Sequence, residues 1–234
     1  PNIRGNLRSR SMENILAEAR ALVSTGVKEI VLVAQDTTVY GRDLYGKSRL
    51  PELLTEMCKI DDLKWIRLLY CYPEHITDEL LTVMAREEKV LHYMDIPLQH
   101  AAGNVLRRMN RPGNRESLTA LIKRIRAAVP DITLRTTVMV GFPGETEEDF
   151  EATLEMLRRV RFDMLFSFIY SPRKGTPAAE MEQVPKDVTA ARFERLLALQ
   201  KEEATETLKE LESYPIVLTR SLDKAKQWLR EHAR

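Results

Sequence analysis

Cysteine is scarce in this chain: of 234 residues only Cys58 and Cys71 carry a thiol. Two thiols exclude a disulfide framework and a cysteine-ligated metal cluster held by this chain alone. Charge of one sign is lacking as well, because 36 Lys and Arg stand against 35 Asp and Glu for a formal net charge of +1. Nothing in that balance demands nucleic acid or an anionic membrane as partner. No apolar run reaches the length of a membrane span, and residues 1–10 are polar and basic where a signal sequence would be apolar. These absences point to a cytoplasmic protein. What is present, 44% hydrophobic and 30% charged residues, suits a globular chain with one sizeable α/β core.

Periodicity divides the chain into alternating helices and strands. Ser11 opens a helix with the apolar face Ile15, Leu16, Ala19, Leu22 and Val23, closed by Gly26, and a strand follows from Glu29 to Ala34. After the polar loop Gln35-Asp36-Thr37-Thr38, Pro51 opens a helix through Cys58. A strand from Lys64 to Tyr70 then ends in the tip Cys71-Tyr72-Pro73-Glu74-His75. Thr77 caps the next helix, and the strand His92 to Leu98 ends in Gln99-His100. A short amphipathic piece, Asn104 to Met109, and the turn Arg111 to Asn114 lead to a helix stopped by Pro130. Strands are expected at Ile132 to Val140 and Phe162 to Tyr170, on either side of a helix from Thr146 to Val160. A Pro- and Gly-containing loop, Ser171 to Pro177, precedes a long helix from Val188 to Glu212 whose outer Lys and Glu residues read as a solvated surface. Ile216 to Thr219 reads as one more strand, with Ser221 capping a helix.

This alternation predicts an α/β fold with parallel strands and outer helices. Polar residues recur at successive strand tips: Gln35 and Asp36, Tyr72 and His75, Gln99 and His100, Gly141, then Tyr170 and Ser171. A barrel sharing one mouth requires that arrangement, so the expected architecture is a partial (β/α) TIM-like barrel. The pattern opens on a helix, which leaves the first strand missing ahead of Pro1. Residues 1–212 form the expected barrel core and 213–234 an extra strand-helix tail.

The segment from Arg135 to Phe150 joins a strand, a Gly141-Phe142-Pro143-Gly144 turn and a helix start. Gly141 and Gly144 suit positive φ or close approach to a ligand, and Pro143 stiffens the turn between them. Thr146 with Asp149 reads as an N-cap and capping-box partner, followed at helical spacing by Phe150, Leu154 and Leu157. A helix N-terminus favours an anion by roughly 0.3–1 kcal/mol, but Glu145, Glu147, Glu148 and Asp149 already occupy that field. A polyphosphate would be repelled, and the lysine of a phosphate-binding loop is absent. A plain strand-to-helix turn is the alternative reading.

Several motifs occur in one order over roughly Pro1 to Gln200: Arg4-Gly5, Arg8-Ser9-Arg10, Val33 to Gly41 with its Ala34-Gln35-Asp36-Thr37-Thr38 core, Asp95 to His100, and Val140 to Thr146. Together they resemble the radical S-adenosylmethionine methylthiotransferases. The Gln35-Asp36 and Gln99-His100 segments look most like the branch that methylthiolates an aspartate of a small-subunit ribosomal protein; the tRNA-modifying branch is the near relative. The resemblance implies a partial barrel, S-adenosylmethionine as cofactor, and a 4Fe-4S cluster on a CxxxCxxC loop after the first strand. That loop has no counterpart here, so the chain is expected to begin just after it and to lack the family's N-terminal domain and its C-terminal β-rich domain. Three thiolates must ligate the cluster, and Cys58 and Cys71 cannot supply them. This chain alone is therefore expected not to cleave S-adenosylmethionine.

By the same resemblance the cofactor-binding residues are Gln35, Asp36, Gln99, Arg135, Gly141, Phe142 and Ser171. Asp36 offers an anion for the cofactor's amino and sulfonium charges, or else caps the loop over Thr37 and Thr38. Arg135 offers a cation for its carboxylate, or else forms a salt bridge below the mouth. His100 reads as acid, base, ligand or a satisfied hydrogen-bonding group. Cys58 shares an apolar helix face with Leu54 and Met57, whereas Cys71 at a strand tip could reach the mouth. Arg4, Arg8 and Arg10 make either a basic approach to the site or a solvated arm. A competing reading is a non-catalytic barrel scaffold in which Ile216 to Thr219 replaces the lost strand.

Overall fold

The computed structural model describes residues 5–212. Arg4, the strand expected at Ile216 to Thr219 and the helix capped by Ser221 lie outside them. Five parallel strands pair in chain order: β1 (Glu29–Leu32), β2 (Trp65–Leu68), β3 (Val90–Gln99), β4 (Thr133–Val140) and β5 (Met164–Ile169). The helices are α1 (Met12–Ser24), α2 (Arg42–Tyr45), α3 (Leu50–Cys58), α4 (Asp78–Arg86), α5 (Gly103–Arg108), α6 (Arg115–Ala128), α7 (Glu147–Val160) and α8 (Lys186–Glu212).

Strand order that never reverses has a structural consequence. Right-handed crossovers between successive parallel neighbours all fall on one face of the sheet, so the helices cover that face and leave the other open. Alternation along β4 shows it: Leu134, Thr136, Val138 and Val140 are buried under the helices, while Arg135, Thr137 and Met139 point the other way. The central strand β3 is buried along most of its length, whereas the edges are not: Val31 on β1 and Met164, Phe166 and Phe168 on β5 stay exposed. The result is an open partial barrel with β1 and β5 as its two edges among the described residues.

Helix starts follow the side chains that cap them. Ser11 accepts from the Asn14 amide at 3.2 Å, Thr77 from the Leu80 amide at 3.2 Å, and Thr146 with Asp149 completes a capping box. Each such cap contributes about 1 kcal/mol. β1 stops at Leu32, two residues short of the expected Ala34, and α2 was not anticipated in the loop before Pro51. That short helix docks the N-terminal arm: Asp43 accepts from the Ser9 amide at 2.8 Å and the Tyr45 hydroxyl from the Met12 amide at 3.2 Å. The solvated-arm reading holds for Arg8 and Arg10, both exposed, with Arg10 at the surface on Asn14 and Glu18, while the backbone between them is docked through Ser9.

Candidate functional site

The open face and the C-terminal strand ends enclose a cleft of about 890 Å³. Gln35, Gln99 and Arg135 line it, with Asp95, Phe166 and Phe168. Arg135 projects from β4, donates from Nε to Asp95 Oδ1 at 2.9 Å, and lies over the Phe166 ring at 4.9 Å. The other oxygen of Asp95 accepts from the Tyr70 amide at 3.1 Å. The salt-bridge reading of Arg135 holds, and the guanidinium still borders the cleft. The hydrogen bond that Arg135 donates to Asp95 raises the Arg135 pKa further above its ordinary value, so the group is a fixed cation.

Two strand tips at the cleft hold non-glycine residues in left-handed backbone, Tyr70 with φ +57° and Gln99 with φ +73°. Such conformations cost of order 1–3 kcal/mol and persist where surroundings enforce them. Here the bend at Gln99 turns the chain from β3 toward α5 and leaves its amide bordering both the cleft and a neighbouring groove of about 660 Å³. Phe142 and Ser171 line that groove, and Phe142 packs edge-on to Tyr170 with centroids 4.9 Å apart.

Asp36 and Gly141 line neither space. Asp36 Oδ1 accepts from the Thr38 amide at 2.9 Å and from its hydroxyl, which realises the loop-cap reading, while Oδ2 meets His75 Nδ1 at 2.7 Å. Gly141, at φ +76°, faces α8, and a Cβ there would stand 2.5 Å from Thr189 Cγ2. Its amide donates to Glu145 Oε2 at 2.8 Å, so the turn's leading donor is satisfied internally. The positive φ expected of this glycine and its close packing under Thr189 are what require glycine here.

Glu145 is the centre of the network that holds the turn. It is fully buried, with Oε1 3.0 Å from His100 Nε2 and Oε2 3.0 Å from Arg192 Nη1. The Ala102 amide donates to His100 Nδ1 at 3.0 Å, so Nε2 carries the proton that His100 donates to Glu145. His100 is thus the satisfied hydrogen-bonding group among its possible readings and does not face the mouth. Arg192 also donates to the Glu145 carbonyl at 3.1 Å and to Glu147 at 3.0 Å. Sequence reasoning missed Glu145, Arg192 and Asp95 as site-building groups. A signal existed for Arg192, which falls on the same helical stripe as Thr189, Leu196 and Leu199, all buried.

Neither thiol reaches the mouth. Cys71 is fully buried, its amide donating to the Asp95 carbonyl at 2.8 Å, and burial pushes its pKa to about 12. The sequence expectation that it could reach the mouth is corrected, because the chain beyond β2 carries this side chain into the helix-covered core. Cys58 is half-buried, with its thiol pushed up to about 11 by desolvation. Among the described residues no three His, Cys, Asp or Glu side chains gather as a metal site. The donor set of the cleft suits S-adenosylmethionine, with a cation for its carboxylate, amides for its ribose and aromatic faces beside them. That donor set does not suit an iron–sulfur cluster, which needs thiolates.

The profile of the Radical SAM superfamily matches residues 2–157. The protein called ribosomal protein uS12 methylthiotransferase RimO in Desulfitobacterium hafniense is 51% identical over 207 residues, 88% of this chain and 46% of that protein. Its namesake in Lachnoclostridium phytofermentans is 52% identical over 202 residues, 86% of this chain and 46% of that protein. The chain spans about half the length of the curated relatives it matches. Among solved structures, coproporphyrinogen III oxidase from Escherichia coli, a radical SAM enzyme, superposes with a TM-score of 0.60 at 18% identity over 85% of this chain and 48% of that one. The radical S-adenosylmethionine methyltransferase TsrM from Kitasatospora setae gives 0.56 at 16% identity over 73% of this chain and 33% of that one. These two show the shared fold, an open parallel barrel with outer helices. Matched over most of its length, the chain belongs to the Radical SAM superfamily.

Proposed function

We propose that this chain forms the S-adenosylmethionine-holding barrel of a methylthiotransferase that modifies an aspartate of the small-subunit ribosomal protein uS12. The observation that carries this reading is the convergence of Gln35, Gln99 and Arg135 on one open cleft at the strand tips. Arg135 takes the cofactor's carboxylate, the two glutamine amides its hydroxyls, and Phe142 and Ser171 border it from the adjoining groove. Asp36 and Gly141 support from behind, the first by ordering the Gln35 loop and the second by seating the turn on α8. In this family the chemistry the cofactor supplies is its reductive cleavage at a 4Fe-4S cluster, for which this chain's two cysteines are too few. Identity of 51% to a uS12 methylthiotransferase supports the substrate, and a ribosomal substrate is consistent with a cytoplasmic protein.

Equilibrium dialysis of the folded chain against S-adenosylmethionine tests the cofactor half: saturable binding is expected, and a folded chain that binds none sinks it. The substrate half needs a chimera in which this chain replaces its counterpart in the full-length Desulfitobacterium relative. Mass spectrometry should then find uS12 carrying a methylthio group. A chimera that binds the cofactor but modifies only tRNA would refute that half alone.

A further inference from the structure

The groove beside the cleft carries an electrostatic feature that cofactor binding does not use. Three arginines, Arg108, Arg111 and Arg173, line it, and no Asp or Glu does. The arginines of the cofactor wall and the turn already carry carboxylate partners, Arg135 through its Nε with Asp95 and Arg192 with Glu145 and Glu147. The three groove arginines have no carboxylate partner among the described residues. Two of them are nonetheless held in place. Arg108 Nη1 donates to the Gly144 carbonyl at 2.7 Å, and Arg111 Nη1 donates to the Pro97 carbonyl at 2.9 Å while stacking 4.6 Å over the Tyr72 ring. Oriented guanidinium groups without counter-charge, over the apolar walls of Phe142 and Tyr170, make a receptor for a carboxylate presented on an apolar stem.

We propose that this groove recognises an acidic side chain of a polypeptide substrate, with Arg173 and Arg111 as the carboxylate-binding, specificity-determining residues. The proposal rests on the reading of the adjoining cleft as the cofactor site. Gln99, Arg111 and Phe168 border both spaces, so a carboxylate in the groove brings its neighbouring carbon to the edge of the cleft. The observations favour a peptide over RNA. A nucleic-acid footprint is an extended basic stripe, whereas here three cations sit in one groove of about 660 Å³ on a chain of net charge +1.

Fluorescence anisotropy with a labelled peptide spanning the target aspartate of uS12, and with the same peptide carrying Asp→Asn, tests this on the chain itself. The acidic peptide should bind about tenfold tighter than its amide counterpart, the worth of a charge-assisted pair. Arg173→Gln should abolish that ratio while barely moving the Asn-peptide affinity. Arg158→Gln, which removes the same charge from the exposed face of α7, should keep the ratio. Equal binding of the two peptides by the unmutated chain, or a ratio that survives in both Arg173→Gln and Arg111→Gln, overturns the proposal. So does an oligoribonucleotide whose binding, rather than the peptide's, depends on Arg173. Cofactor dialysis on the same samples separates the two ideas: discrimination between peptides without S-adenosylmethionine binding refutes the cofactor reading alone, and cofactor affinity that falls in Arg173→Gln without peptide discrimination assigns the groove to the cofactor.

Discussion

Gln99 shows how a single residue can hold strain where a site needs it. Its backbone at φ +73° is one that glycine adopts freely, so Gln99→Gly relieves strain while deleting the amide that borders both spaces. Stability to urea should hold or rise by up to about 1 kcal/mol, and S-adenosylmethionine affinity should fall several-fold. Unchanged affinity would remove Gln99 from the cofactor site. Cys71 makes a different prediction. Burial raises its thiol to about 12 from the ordinary 9.0, so on raising the pH the unfolded chain loses this proton before the folded one does. Stability from this source is intact below about pH 9 and declines as pH rises toward about 12. The urea midpoint should therefore drop between about pH 9 and pH 11 by more in the unmutated chain than in Cys71→Ala. Equal drops would mean that the thiol is not desolvated.

At the scale of elements, α8 does more than cover the sheet. Thr189 and Arg192 press it onto the strand-to-helix turn, so the position of Phe142 depends on a helix that starts more than forty residues later. Arg192→Ala leaves the Glu145 carboxylate buried with only His100 and the Gly141 amide, a loss expected at about 3–5 kcal/mol. Adding Glu145→Gln removes the stranded charge. The double variant should be less destabilised than the sum of the singles by at least about 1 kcal/mol in urea denaturation. Strict additivity would show that the pair does not couple the turn to the helix. Helix starts and strand positions were legible because caps and periodicity are local. The pairing of Glu145 with His100 and Arg192 was not, since those partners come from three elements far apart in sequence.

The whole molecule is an open sheet with one face packed and one bare. Phe166 and Phe168, 44% and 52% exposed, put apolar surface on the bare face beside the cleft. A patch of that kind marks a ligand or partner site. Anilinonaphthalene sulfonate should bind the native chain, and Phe166→Ser with Phe168→Ser should cut its fluorescence at least by half without lowering the thermal midpoint. A fall in thermal stability would show that these rings belong to the packed core instead.

The sequence by itself determined the α/β alternation, the order of its elements, the three helix caps and the shortage of thiolates, because each depends on neighbours in the chain or on simple counts. It also placed Gln35 and Gln99 at strand tips, and the family resemblance of its motifs joined Arg135 to them. Only the tertiary structure decided which readings of ambiguous residues hold: Asp36 as a cap joined to His75, His100 as a buried donor, Cys71 as core, and Gly141 as a packing glycine under Thr189. The physical reason is that burial and partnership of a polar group depend on what lies across the fold. That is equally why three arginines without counter-charge in one groove, and a buried glutamate at a helix start, emerge only once the strands and helices are assembled.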